Sequence, residues 1–227
     1  MRICLLLLLS IGLRAQQTFF SLEHLSSLPP GIYDSIKTHD VLLLGEMYGT
    51  NESPQVANAF VNLYLSKGKK VILALELPMQ EQNYLDAFLK SKDSMVLKKS
   101  RFFQNTHDGR TSRAMVNLMK EQIEKKDVKV IGYVNAKLPT TPKEQDSLMA
   151  VTILNLRKTY PNHMIVLLSG NLHIRTKKGF KEGMETMGYY LKKELNDKVL
   201  SLSFRYQRGA CYERRNGKSA LYQLPED

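Results

Sequence analysis

Cysteine is almost absent from this chain of 227 residues, which contains only Cys4 and Cys211. Cys4 lies in an amino-terminal apolar segment that we expect to be removed, so Cys211 would be the only cysteine of the mature protein. A single cysteine excludes an intramolecular disulfide, even in an oxidising compartment. The fold must therefore be stabilised by packing of a hydrophobic core, which a chain of this length is able to bury.

The sequence also lacks an apolar run of the roughly 20 residues that a stable transmembrane helix needs. The amino-terminal run, Ile3–Leu13, is shorter, follows Arg2 and precedes the small residue Ala15. This order is typical of a secretory signal peptide, although a short buried helix is the alternative. We predict a signal peptide of residues 1–15, cleavage near Ala15, a single mature domain of residues 16–227, and an exported product, either periplasmic or secreted.

Acidic residues are outnumbered in this chain, which has 33 Lys and Arg, 22 Asp and Glu, and a formal net charge of +11. Such an excess favours anionic ligands and membrane headgroups, so we expect a small-molecule or peptide substrate, including anionic ones, and peripheral contact with a membrane surface. The lysines are not interleaved with aromatic residues, and no nucleic-acid-binding motif accompanies them. Nucleic acid is not an expected partner, and most lysines should form a solvated surface.

Short runs rich in Val, Ile and Leu alternate with longer amphipathic segments. The alternation predicts an α/β fold, with a mostly parallel central sheet and helices on both faces. The predicted strands are Val41–Leu44, Val71–Leu77, Val128–Val134, Met164–Ser169 and Val199–Phe204. The predicted helices are Gln55–Ser66, Gln80–Lys90, Thr111–Lys126, Pro142–Thr159 and Gly183–Leu195. The turn pair Asn216-Gly217 predicts a C-terminal antiparallel hairpin formed by Tyr206–Arg214 and Ser219–Leu224.

Polar side chains stand where three of these strands end. Glu46 follows the first strand, Glu76 ends the second, and Asn171 and His173 follow the fourth. Ligands bind at the carboxyl ends of the strands in such sheets. A carboxylate there is costly to bury unless it is paired, hydrogen-bonded or bound to a cation, so a helix cap or a salt bridge is the alternative for each glutamate. His173 is a candidate general base or metal ligand, with a structural role as the alternative.

Charged residues near two predicted helix starts are further candidates. Glu52 either binds a ligand or complements the dipole of the helix that follows it. Arg110 and Arg113 flank a helix start that Thr111 or Ser112 is able to cap. Arginine is unfavourable at a helix N-terminus, so we expect these two to bind a local anion, with an exposed surface position as the alternative.

The segments "LLLGEMYGTNESP", "LALELP", "DGRTSRAM", "QDSLMA" and "LLSGNLHI", in this order, resemble the erythromycin esterase-like and ChaN/Tiki/TraB superfamily. The resemblance spans roughly Val41 to Phe204. It implies an α/β fold with an active site at the strand ends. It also implies a function among esterases that open macrolide lactones, metal-dependent proteases and exported haem-binding proteins. The catalytic residues that it implies are Glu46, Glu76, Arg110 or Arg113, and His173.

The first motif departs from the family pattern at Tyr48, where related sequences have the histidine of GExH. A phenol titrates near pH 10, so it does not replace an imidazole as a base at neutral pH. The first hypothesis is therefore an exported hydrolase of an ester or a peptide, in which strand-end residues act on water directly or through a divalent metal. The metal would be Mn, Fe or Zn, and its predicted ligands are Glu46, Glu76 and His173.

The second hypothesis is a non-catalytic protein that binds haem or another small ligand. Tyrosine and histidine both ligate haem iron, so Tyr48 or His173 would contact the metal. The predicted ligand-binding residues are Tyr48, Glu52 and Asn171.

Overall fold

A computed structural model describes residues 3–9, 16–22, 28, 31–105, 108–135, 141–178, 184–206, 209–215 and 218–224. The strands are β1 (Ile3–Leu9), β2 (Gln16–Leu22), β3 (Val41–Glu46), β4 (Lys70–Pro78), β5 (Val128–Val134), β6 (His163–Gly170), β7 (Val199–Tyr206), β8 (Gly209–Arg215) and β9 (Lys218–Leu224). The α-helices are α1 (Ile32–Ile36), α2 (Glu52–Ser66), α3 (Gln82–Ser91), α4 (Arg101–Asn105), α5 (Arg113–Lys120), α6 (Pro142–Thr159) and α7 (Met187–Leu195).

Five strands form a parallel sheet in the order β7-β3-β6-β4-β5. This confirms the predicted α/β fold with a parallel central sheet. Strands β1 and β2 extend the sheet antiparallel beyond β7, and β1 lies within the predicted signal peptide, whose cleavage stays a prediction. The predicted C-terminal hairpin is no part of this sheet, because in the described part of the chain β8 and β9 pair with each other, antiparallel, as a separate two-stranded sheet. The predicted turn, Asn216-Gly217, lies outside the described residues.

The parallel strands separate two hydrophobic cores. Leu42 and Leu44 of β3 face a core shared with α1, α2, α3 and α5. Val41 and Leu43 face a second core shared with α6 and α7. All four side chains are fully buried, which explains why the strand reads as a continuous apolar run. Helices therefore cover both faces of the sheet, as predicted.

Helix ends differ more from the predictions than strands do. Helix α2 begins at Glu52, ahead of the predicted Gln55, because proline is tolerated in the first turn and Pro54 does not block it. The segment predicted as one helix from Gln80 starts as a 3-10 turn, Met79–Glu81, before α3. No helix among the described residues combines the length and the apolar character needed to cross a membrane.

The pairing of β3 with β6 and of β6 with β4 brings three strand ends to one edge of the sheet. Glu46 lies in register with Gly170 across the β3–β6 pair. Glu76 lies near the end of β4, on the other side of β6. The polar residues that follow these strands therefore converge, as the parallel topology requires.

Candidate active site

Glu76 lies at the centre of a buried cluster and is only 4% exposed. Its Oε1 accepts a hydrogen bond from the Tyr48 hydroxyl at 2.7 Å. Its Oε2 accepts two more, from the Ser169 hydroxyl at 2.6 Å and from the Gly170 N–H at 3.0 Å. Three donors therefore hold this carboxylate in one orientation, which offsets the cost of burying it.

Arg110 supplies the positive charge of the cluster. Its Nη1 lies 3.6 Å from Oε1 of Glu76, and its Nη2 lies 2.6 Å from Oδ2 of Asp108. The guanidinium carbon lies 5.7 Å from the ring centre of Tyr48 and 5.4 Å from that of Phe102. Burial opposes the charge, but the bond to Asp108 and the charge of Glu76 raise the pKa of Arg110 above its usual value. Arg110 is therefore a permanent cation beside the carboxylate.

His173 is hydrogen-bonded to a fully buried acid. Its Nδ1 lies 2.9 Å from Oδ1 of Asp146 on α6, and the same oxygen accepts the N–H of Met187 at 2.7 Å. Burial disfavours the imidazolium, but the hydrogen bond of Asp146 and the charge of Glu76 outweigh it and raise the pKa of His173. Because a carboxylate holds Nδ1–H, Nε2 is the ring nitrogen left for proton transfer. The side chain is 20% exposed, so a substrate is able to reach it.

Two neighbouring glutamates of the cluster hold different charges. Burial raises the pKa of Glu76, but His173, Arg110 and the hydrogen bonds from Ser169 and Tyr48 outweigh it, so the net pKa is below its usual value. Glu76 is therefore an anion at neutral pH.

Glu46 is 5% exposed, and its Oε1 has no hydrogen-bond partner among the described residues. Burial and, second, the charge of Glu76 raise the pKa of Glu46 to about 8. At neutral pH Glu46 therefore holds a proton beside a fixed anion. Paired carboxyl groups whose pKa values are pushed apart mark acid and base roles in many enzymes.

Two glycines permit close approaches in this region. A Cβ atom at Gly45 would collide with the side chain of Asn171, and one at Gly109 would collide with the backbone of Gly49. Gly109 also has a φ of +93°, which a residue with a side chain rarely adopts. The Gly109 turn thus places Arg110 against the loop that follows β3.

Of the predicted site residues, six meet at this edge of the sheet and two do not. The backbone N–H of Asn171 donates to the carbonyl of Glu46 at 3.1 Å. Arg113 is exposed at the start of α5, whose cap is the Ser112 side chain, and Glu52 lies in the first turn of α2. Within the described part of the chain, no hydrogen bond or ion pair joins these two to the cluster. The residues that meet are Glu46, Tyr48, Glu76, Arg110, Asn171 and His173.

The predicted metal ligands, Glu46, Glu76 and His173, are not grouped as a metal site among the residues that the structure describes. No three His, Cys, Asp or Glu side chains among them are placed to hold one metal ion. Both oxygens of Glu76 already accept hydrogen bonds, and the cation Arg110 stands where a metal ion would be repelled. These contacts do not support Glu46, Glu76 and His173 as a set of metal ligands, and that set stays a prediction.

Tyr48 does not fit as a haem ligand either. Its hydroxyl donates to Glu76, and a Cβ atom built on Gly170 would lie 2.7 Å from that hydroxyl. Burial and the charges of Glu76 and Glu46 raise the pKa of Tyr48 well above its usual value, so the phenolate that iron would bind is disfavoured.

The sequence did not single out two members of the cluster, Asp146 and Ser169. Asp146 stands in the motif "QDSLMA", but an acid near the start of a helix usually faces solvent. Ser169 ends a strand and carries no chemical signal by itself. Only the packing of α6 against the sheet brings Asp146 to His173, 27 residues further along the chain.

A sequence model described as erythromycin esterase matches residues 67–226, more than half of the chain. The chain belongs to the erythromycin esterase family. The resemblance drawn from the sequence motifs is thereby confirmed. The matched region includes Glu76, Arg110 and His173 and begins after Tyr48, so the family match does not cover the first motif.

Solved structures share the fold of this erythromycin esterase-family chain. A succinoglycan biosynthesis protein superposes with a TM-score of 0.67 and 11% identity, covering 91% of this chain and 77% of its own. The erythromycin esterase mutant EreC in its open conformation superposes with a TM-score of 0.64 and 9% identity, covering 86% of this chain and 78% of its own. ChaN of Campylobacter jejuni, with cofacial haem bound, superposes with a TM-score of 0.52 and 12% identity, covering 89% of this chain and 96% of its own. No curated protein sequence matches the chain.

Proposed function

We propose that this protein is a hydrolase that cleaves an ester bond, with water as the nucleophile. The observation that carries the proposal is the His173–Asp146 pair placed beside the Glu76–Arg110 pair at the carboxyl edge of the sheet. Family membership supports an ester as the substrate class and leaves its alcohol and acyl parts open. Ser169 is not the nucleophile, because it is fully buried and its hydroxyl donates to Glu76.

In the proposed reaction, Nε2 of His173 takes a proton from water as the oxygen attacks the ester carbonyl carbon. Asp146 is a positioning residue, since it fixes the imidazole through Nδ1 and stabilises the imidazolium that forms. The carbonyl oxygen becomes negative in the tetrahedral intermediate, and Arg110 stabilises that charge. Glu46 then protonates the departing alkoxide and recovers a proton from His173, so that an acid and an alcohol are the only products.

This scheme sets the pH dependence of the reaction. Hydrolysis requires neutral His173, so the rate should rise as the pH passes through its pKa, which lies above the ordinary value. It also requires protonated Glu46, so the rate should fall above the Glu46 pKa of about 8. A bell-shaped profile is therefore expected.

The experiment compares matched variants on a panel of chromogenic esters and macrolide lactones. His173→Ala and Arg110→Ala should each reduce the rate by roughly 100-fold or more, in line with the loss of a general base or of transition-state stabilisation. Arg113→Ala is the control, because it removes an exposed arginine three residues away and should leave the rate unchanged. Full activity in His173→Ala, with an unchanged circular dichroism spectrum, would end the proposal.

Haem binding is the second candidate, and one observation favours it. A histidine that ligates a metal through one nitrogen commonly donates its other N–H to a carboxylate, as Nδ1 of His173 does to Asp146. Titration with hemin should then give a Soret band that His173→Ala loses. No band in the wild-type protein would remove this candidate.

Export is also part of the proposal. Its support is the sequence of Arg2, an apolar run and Ala15. The intact mass of the protein recovered from the periplasm or the medium should correspond to cleavage near Ala15. An intact mass that includes residues 1–15 would argue against a cleaved signal peptide.

A further inference from the structure

A concave site lies at the opposite edge of the sheet from the Glu76 cluster. It is a cavity of about 610 Å³, and its wall includes Lys70 and His163, the first residues of β4 and β6. Strands rise about 3.3 Å per residue, so the lengths of β4 and β6 place the two edges of the sheet on the order of 20 Å apart. The cavity is therefore separate from the candidate active site, and its role does not depend on the proposed hydrolysis.

The wall of this cavity is positively charged. Lys37, Lys69 and Lys70 line it, and within the described chain neither Lys69 nor Lys70 has an ion-pair partner. The acid that also lines it, Asp40, is already paired, because its Oδ2 lies 3.0 Å from Nη2 of Arg157. Two lysine charges of the wall are therefore not neutralised by the protein.

Two residues that line this cavity each carry a buried polar atom that lacks a partner among the described residues. Tyr64 is 1% exposed, and its hydroxyl has no hydrogen bond within the described part of the chain. Nδ1 of His163 is likewise buried and without a partner there. Leaving such a group unsatisfied is destabilising, because it loses its hydrogen bonds to water and gains none in the protein. A phenol donates through its O–H, and an imidazole donates through Nδ1 in one of its tautomers, so a single acceptor group is able to satisfy both.

Burial and, after it, the charges of Lys70 and Lys129 lower the pKa of His163. The imidazole therefore experiences a positive potential and is neutral at pH 7. An anion bound beside it would reverse this effect and raise the His163 pKa. The histidine thus provides a local probe of whether an anion occupies the cavity.

We propose that this cavity binds a phosphate-bearing ligand. Lys69 and Lys70 neutralise its charge, and the Tyr64 hydroxyl and His163 donate hydrogen bonds to its oxygens. Phosphate matches these residues because it combines up to two negative charges with several acceptor oxygens, and lysine is a common point-charge partner of phosphate. The group could belong to a free phosphate compound or to a lipid headgroup, which the experiment separates.

The test is a titration with inorganic phosphate at low ionic strength, monitored by the NMR signals of the His163 ring. We expect a saturable change and a His163 pKa that rises with phosphate. Lys69→Ala/Lys70→Ala should weaken the affinity by about ten-fold or more, since charge-assisted contacts are lost. Tyr64→Phe should also weaken it without lowering stability, because it removes a hydroxyl that has no partner in the free protein.

Lys98→Ala/Lys99→Ala is the matched control, because it removes the same charge from two exposed lysines that do not line the cavity. Equal weakening by both double variants would overturn the proposal, since it would show adventitious attraction by net charge only. Vesicles of phosphatidylglycerol, compared with phosphatidylcholine, form the second arm. Binding to the former alone, lost in Lys69→Ala/Lys70→Ala, would support the site and assign the phosphate to a lipid headgroup. No saturable response to phosphate or to either vesicle would refute it.

Discussion

Replacing Glu46 by glutamine removes an ionisable group from a buried position while keeping the shape of the side chain. The Glu46 pKa is about 8 in the folded protein, against an ordinary value of 4.5, so between these values the folded state holds a proton that the unfolded state has lost. Stability therefore falls as the pH rises through this window. At about 1.4 kcal/mol per pH unit, the cost is about 3 kcal/mol at pH 7 and about 5 kcal/mol at pH 9. Glutamine does not ionise, so Glu46→Gln should avoid this cost.

The assay is urea unfolding of both proteins at pH 5, 7 and 9. The free energy of unfolding of Glu46→Gln, relative to wild type, should increase steadily across this range. Only the pH dependence of the difference is diagnostic, because a new amide N–H adds a constant that does not vary with pH. Glu52→Gln, which removes a carboxyl group outside the cluster, should show no comparable increase. A difference for Glu46→Gln that is flat from pH 5 to pH 9 would refute the reasoning.

Three further substitutions test the cluster. Asp146→Asn removes a charge-assisted hydrogen bond worth about 1.5–3 kcal/mol, so an NMR titration should show His173 protonating roughly 10- to 100-fold less readily. In the wild-type protein, the raised pKa of His173 adds stability that is fully present below about pH 6.5 and is lost as the pH rises through the folded pKa. This added stability should be smaller in Asp146→Asn. Tyr48→Phe leaves Oε1 of Glu76 without its 2.7 Å donor and should lower the free energy of unfolding in urea by about 1–3 kcal/mol. Gly109→Ala should lower the thermal midpoint, because its Cβ meets backbone atoms and its φ is +93°.

Each of these tests has its own contrary result. An unchanged His173 titration in Asp146→Asn would show that the 2.9 Å contact does not control the imidazole. If the free energy of unfolding of Tyr48→Phe equals that of wild type, the hydrogen bond from Tyr48 to Glu76 makes no net contribution to stability. For the glycine, Gly68→Ala is the matched control, since its φ is +70° but nothing lies within 4 Å of the added Cβ. Gly68→Ala should lose only the roughly 1–2 kcal/mol of stability that a side chain costs at a positive φ. An equal loss in Gly109→Ala would show that the contact of its Cβ with the Gly49 backbone adds no further cost.

The sequence predicted the strands well because their signal is local. A strand buried on both faces must be apolar throughout, as Val41–Leu44 of β3 is. The edge strand Val128–Val134 was also predicted with the bounds that the structure has, although Lys129 within it is exposed. Helix ends depend on contacts that no local pattern contains. The predicted helix to Lys126 ends at Lys120, where the side chain of buried Gln122 donates to the Leu118 carbonyl and to Asn58 from α2. A distant residue thus helps to set the end of that helix.

The same division applies to the site. Strand-end residues such as Glu46 and Glu76 were predictable because parallel topology alone brings them together. The choice between Arg110 and Arg113 was not predictable, because it depends on the backbone turn at Gly109. That turn directs Arg110 toward Glu76 and leaves Arg113 exposed. Asp146 was not predictable either, because its role appears only when α6 packs on the sheet.

The unequal protonation of the two glutamates follows from where the hydrogen-bond donors lie. Tyr48, Ser169 and Gly170 all donate to Glu76, and Arg110 adds its charge there, whereas no described donor reaches Oε1 of Glu46. Once Glu76 is ionised, its charge makes a second ionisation beside it more costly. Tyr48 therefore has a definite role in the proposed chemistry. It does not act as a base, but it helps to keep Glu76 ionised and thereby keeps the proton on Glu46, where a proposed general acid needs it.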